Sequence, residues 1–196
     1  FFWMAFHQNG LTLTYFAKEF TTLTATEGLQ SMLFNVWNLV LVIIGVYAGF
    51  SIFQSKTTKG KTLSAVAVVA VVGVLVIQYM NAGERAISAE MFQQFNPFYV
   101  VALTPVSMAL FGWLASRGKE PSAPRKIALG MLVAGLGFAV IAFASMGLLT
   151  PNQQAAALAA GESVATVSPN WLITTYLVLT FAELLLSPMG ISFVSK

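Results

Sequence analysis

Tyr176, Thr180, Glu183 and Ser187 recur at spacings of four, three and four residues inside an apolar run from Trp171 to Val194. On a helix with 3.6 residues per turn these four share one face, while Leu177, Leu184 and Leu185 point elsewhere. A carboxylate at the centre of a membrane costs roughly 2.5–3.5 kcal/mol on insertion scales, so Glu183 must face protein or water and not lipid. One reading makes it a substrate or proton site. The other makes it a protonated or hydrogen-bonded carboxyl that only holds helices together. Pro188 lacks a backbone donor and favours a bend about one turn back, near Glu183, of the kind tolerated where backbone borders a cavity.

A second polar surface lies in the first apolar run. Trp3, His7, Gly10 and Thr14 share one helical face, and Gln8, Thr12 and Tyr15 the adjacent one. That surface is too polar for lipid and reads as a pocket wall. Imidazole titrates near working pH, which makes His7 a candidate for proton work; desolvation favours a neutral, hydrogen-bonded side chain as the alternative. Trp3 is either packing or a ligand contact. Asn96 precedes Pro97, a pair that marks a helix start or an early kink and leaves the amide free to bond another group. Gly130 and the segment GLGF (135–138) read as small residues for close helix packing.

These residues are positioned by six apolar runs: Phe1–Phe16, Phe34–Phe53, Leu63–Met80, Phe98–Leu114, Ile127–Leu149 and Trp171–Val194. A bilayer core about 30 Å thick needs roughly 20 helical residues, so the last five suffice alone, and the first reads as a span cut at its beginning. The runs do not alternate apolar and polar as barrel strands would. The fold class is therefore all-α and membrane-spanning, with about six transmembrane helices. Of 196 residues, 57% are hydrophobic and 9% charged, at a mean hydropathy of +0.78, which is far from soluble usage. With no cysteine, no aspartate and one histidine, neither a disulfide nor a metal or catalytic-triad site is expected. Nucleic acid is not a partner, because the basic residues sit in short loops between spans.

Those loops set the orientation. Residues 54–62 carry Lys56, Lys59 and Lys61 without an acid, and residues 115–126 carry Arg117, Lys119, Arg125 and Lys126 against Glu120 alone. Both should be cytoplasmic. The loops between them are poor in base: Lys18 with Glu19 and Glu27, Arg85 with Glu84 and Glu90, then Glu162 alone. Residues 150–170, small and polar, read as a flexible external loop. The chain opens inside an apolar stretch without a signal-peptide n-region, so it reads as a piece of a longer protein.

Four segments carry a family resemblance: FWMAFHQNG (2–10), FNPFYVVALTP (95–105), APRKIALGMLVAGLGF (123–138) and FAELLLSPMGISFVSK (181–196). Together, in this order and spacing, they resemble the proton-dependent oligopeptide transporters of the major facilitator superfamily. The resemblance implies helices seven to ten of a twelve-helix core, so the chain would be a partial carboxy-terminal bundle with spans near 1–16, 98–114, 127–149 and 171–194. Residues of about 30–80 would then be an inserted transmembrane hairpin, lying at the bundle periphery. The last segment is the most specific. Family members typically read Gly-Glu-Leu, two variable residues and Ser-Pro; here Ala182 replaces the glycine.

By this resemblance Glu183 would contact the amino terminus of a peptide and pair, in an inner gate, with a lysine of the missing amino-terminal half of the same protein. Ser187 would stand beside it, Asn96 would contact the same end of the peptide, and Trp3 would line the side-chain pocket. His7 stands where many members carry a glutamate that pairs with a helix-one arginine, an ion pair a histidine does not form; it remains a proton-coupling and gating candidate beside Glu183. The implied function is proton-coupled symport of short peptides, di- and tripeptides, by alternating access. No covalent chemistry is expected, and no cofactor beyond protons as the coupling ion. The expected partners are peptide and membrane lipid, and the expected location is a bacterial inner membrane. Two alternatives stay open: another small solute, such as nitrate, on the same scaffold, or a non-transporting membrane scaffold with its polar stripes packed shut.

Overall fold

The computed structural model describes residues 3, 4 and 7–194, with side chains described except at 9 and 187–194. Helices dominate. A short 3-10 segment, His7–Asn9, leads through a turn into α1 (Thr12–Phe20). Strand β1 (Thr24–Ala25) and the short α2 (Leu29–Leu33) precede α3 (Val36–Gln54) and α4 (Thr58–Met80), an antiparallel hairpin. After β2 (Arg85–Ala86), a 3-10 segment (Ala89–Gln94) feeds α5 (Phe95–Ser116). The chain ends with α6 (Ala123–Ala144), α7 (Pro151–Ala159) and α8 (Pro169–Val194).

Among the described residues five helical stretches are long and apolar enough to cross a membrane: Val36–Gln54, Thr58–Met80, Ala89–Ser116, Ala123–Ala144 and Pro169–Leu186. Three of the starts have a plain local cause. Asn35 caps α3 by accepting from the Trp37 amide at 3.1 Å, and Thr57 caps α4 by accepting from Gly60 at 3.2 Å. Pro124 falls in the first turn of α6, where no backbone partner is lost. The capped α4 starts at Thr58, before the apolar run at Leu63; α6 stops at Ala144, short of the expected Leu149, in a turn that places Gly147 at φ +88°.

Two expectations are corrected. The first run is not one helix through residue 16: among its described residues a turn at Gly10–Leu11 separates His7–Asn9 from α1, which extends on to Phe20. The cause is the Asn9–Gly10 dipeptide, a strong turn signal, together with glycine's poor helix propensity. Trp3 and His7 therefore do not continue along one helical face into Thr14. Residues 1, 2, 5 and 6 of that run lie outside the described residues. Secondly, the loop 150–170 contains α7. Thr150 and Gln153 form a capping box, the Gln153 Oε1 accepting from the Thr150 amide at 3.1 Å and hydroxyl at 2.9 Å, and Pro151 opens the helix.

The base-poor loops meet at one end of the molecule. β1 pairs antiparallel with β2, Thr21 bridges to Val167, and the Thr22 and Thr166 hydroxyls are 2.8 Å apart. Gln154 of α7 donates to the Glu19 carbonyl. Gln30, buried in α2, accepts from the Thr26 amide and donates to Asn170 at the start of α8 at 2.9 Å. The alternation of loop charge thus matches the physical grouping of the loops.

Within the hairpin α4 is the outer helix, while α3 packs against α5. α4 is largely exposed, with Val71 buried against α3, as expected of lipid-facing surface. At the root, Phe34 is fully buried and meets Phe92 and Phe95 edge-on, with ring centroids 5.1 and 5.3 Å away. This aromatic group ties the hairpin to the start of α5.

Candidate functional site

α8 carries the site, and α6 fixes α8. A Cβ added at Gly130 would lie 2.6 Å from Leu186 Cδ1 and 3.1 Å from the Ala182 carbonyl; at Gly137 it would lie 2.8 Å from Leu179 Cδ2. These two glycines, with the buried Ala134 between them, let the backbones approach closely. Gly135 meets nothing within 4 Å and plays no such part. α8 remains helical through Pro188 to Val194.

With α8 held this way, its polar stripe faces α5 and α1. Asn96 Nδ2 donates to Glu183 Oε2 and to Thr180 Oγ1, each at 3.3 Å. Asn96 is the second residue of α5, immediately before Pro97, so its amide is available for contacts across the helix interface. Thr180 and Tyr176 are buried, and the Tyr176 hydroxyl bonds the Thr14 side chain. Gln93 Nε2 donates to Thr14 Oγ1 at 3.0 Å. The stripe is therefore one limb of a polar seam joining α1, the entry to α5 and α8.

Glu183 is partly buried and, among the described residues, has no cationic partner; the ion pair found there is Lys126 with Glu120. An ionised carboxylate offers about four acceptor positions. One long bond from a neutral amide leaves most of them open. The amide oxygen of Asn96 adds a further acceptor beside the carboxylate, and a carboxylate with an adjacent carbonyl suits a primary ammonium, which brings three donors and a positive charge.

The structure brings Glu183 and Asn96, which the family resemblance had set at the same end of a peptide, into one cluster. Trp3 and His7 come together with each other, ring centroids 6.4 Å apart, and both are exposed. The side chain of Ser187 lies outside the described residues. Gln93 and Thr14 were not singled out as a pair, because residues 79 apart in sequence meet only through the tertiary fold. Thr180 was visible in the spacing, yet its bond to Asn96 was not.

YclF of Bacillus subtilis, described as an uncharacterized transporter, is 32% identical over 117 residues, covering 60% of this chain and 20% of its own length. Dipeptide and tripeptide permease B of Edwardsiella piscicida is 32% identical over 110 residues, 56% of this chain and 20% of the permease. The peptide transporter YePEPT of Yersinia enterocolitica is 35% identical over 101 residues, 52% and 18% of the two chains. The chain spans about a fifth of the length of these relatives. No solved structure matches. Five helices able to cross a membrane, together with bacterial permease relatives, make this an integral membrane protein of the bacterial inner membrane. The model of the POT family matches residues 72–196, well over half of the chain and all of the α5–α8 unit that forms the Asn96–Glu183 contact, and the chain belongs to that family.

Proposed function

We propose that the whole protein is a proton-coupled symporter of di- and tripeptides working by alternating access, and that this chain supplies part of its carboxy-terminal helical bundle. The observation that carries the reading is the Asn96–Glu183 contact, in which a partly buried carboxylate keeps open acceptor positions and lacks a cation among the described residues. A peptide's α-ammonium would take those positions. When no peptide is bound, a lysine of the amino-terminal half would take them and close the inner gate. Protonation of Glu183 would release either cation, which couples the gate to the proton gradient. Trp3 would line the side-chain pocket, Ser187 would stand beside Glu183, and His7 would serve as a second proton-responsive group.

The chemistry is noncovalent: no bond of the peptide breaks, and protons are the coupling ion. A carboxylate with open acceptors favours a cationic group over an anion such as nitrate. In the same reading, residues 30–80 form an inserted hairpin outside the transport core. Full-length protein in liposomes should accumulate labelled dialanine under an inward proton gradient and leave nitrate unmoved. Nitrate uptake without peptide uptake would overturn the substrate assignment. Binding of peptide without any transport would favour a scaffold or receptor.

A further inference from the structure

The cytoplasmic turn between α5 and α6 holds a groove of ≈ 480 Å³ that the transport reading does not use. Its level in the membrane is marked by Trp113 in the last turns of α5, half exposed, with the Arg117 guanidinium 4.2 Å from its ring. An amphipathic aromatic in this position belongs to the membrane–water interface. Above that level the groove is bounded by Lys119 and Arg125, both exposed. Glu120 also lines it, but its carboxylate is taken by Lys126, whose buried ammonium lies 4.4 Å from the Phe111 ring. The acid is thereby offset. Neither Lys119 nor Arg125 has an ion-pair partner among the described residues.

Below them the lining turns apolar: Ala128, Leu129 and Leu132 of α6, with Leu129 and Leu132 turned outward. From Arg125 to Leu132 is about 10 Å along the helix axis at 1.5 Å per residue, the depth from a lipid phosphate to its upper acyl chain. Two unpaired cations over an outward apolar strip, at headgroup height on the base-rich side, complement an anionic amphiphile.

We propose that this groove binds an anionic phospholipid of the cytoplasmic leaflet, with the phosphate between Lys119 and Arg125 and one acyl chain along Ala128, Leu129 and Leu132. Native mass spectrometry of the full-length protein, with phosphatidylglycerol and phosphatidylcholine as probes, tests it. The wild type should prefer phosphatidylglycerol by roughly tenfold to thirtyfold, as two surface cations imply. Lys119→Gln with Arg125→Gln should abolish the preference without shifting the melting temperature, since both side chains are exposed. Lys119→Arg with Arg125→Lys should retain it. Lys59→Gln with Lys61→Gln, which removes equal charge from the other basic loop, should also retain it, and millimolar inorganic phosphate should not displace the lipid. The proposal is overturned if the first variant keeps the preference, if the Lys59 and Lys61 variant loses it equally, or if phosphate displaces the lipid.

Discussion

Asn96 is the residue that gives Glu183 a defined direction, because its amide is the described donor to that carboxylate and also engages Thr180. Asn96→Leu keeps the number and branching of side-chain heavy atoms and removes both donor and carbonyl. One hydrogen bond to a charged group is worth about 1.5–3 kcal/mol, so KM for dipeptide should rise roughly tenfold to a hundredfold. Uptake kinetics in liposomes measure this, and an unchanged KM would leave Asn96 a packing residue. His7 makes a different demand. It is exposed and lies beside Trp3 on the near side of the Gly10–Leu11 turn. If it takes part in coupling, His7→Gln should flatten the dependence of uptake on pH, since an amide does not titrate. An unaltered pH profile would remove it from the coupling machinery.

At the scale of elements, the contact of α6 with α8 decides whether the stripe can reach Asn96. Gly130→Ala places a methyl against Leu186 and the Ala182 carbonyl, whereas Gly135→Ala meets open space. The first should destabilise by about 1–3 kcal/mol through overpacking, and the second should leave stability unchanged or raise it by up to about 1 kcal/mol, since alanine is the better helix former. Thermal melting of the two purified variants separates them; equal melting temperatures would show that the helices do not need the close approach. The apolar runs and the face shared by Tyr176, Thr180 and Glu183 were legible in the sequence, since each follows from local periodicity; of the glycines read as packing residues, Gly130 and Gly137 make close contacts and Gly135 does not. What escaped was decided by local chemistry that overrides hydropathy. Asn9–Gly10 broke an apparent span, and the Thr150–Gln153 box built a helix within an apparent loop. The meeting of Gln93, Thr14 and Tyr176 depends on tertiary packing and has no sequence period to reveal it.

Across the whole molecule, loop charge and loop contacts give one orientation: the base-poor loops converge on the β1–β2 pair, and the base-rich turns lie at the opposite ends of the spans. Cysteines introduced one at a time in place of Lys59 and Glu162 should accordingly label from opposite sides of sealed vesicles, Lys59→Cys from the cytoplasmic side. Labelling of both from one side would break the topology. That orientation puts Glu183 on a helix descending to the cytoplasm, where an inner gate and a peptide site can use the same carboxylate. Proton-driven accumulation of labelled dialanine by full-length Glu183→Gln in liposomes is the most direct test. The amide keeps the shape and costs less at mid-membrane than the charge, so the variant should insert and fold but fail to concentrate peptide. Accumulation at the wild-type level would contradict the account and leave Glu183 a structural residue.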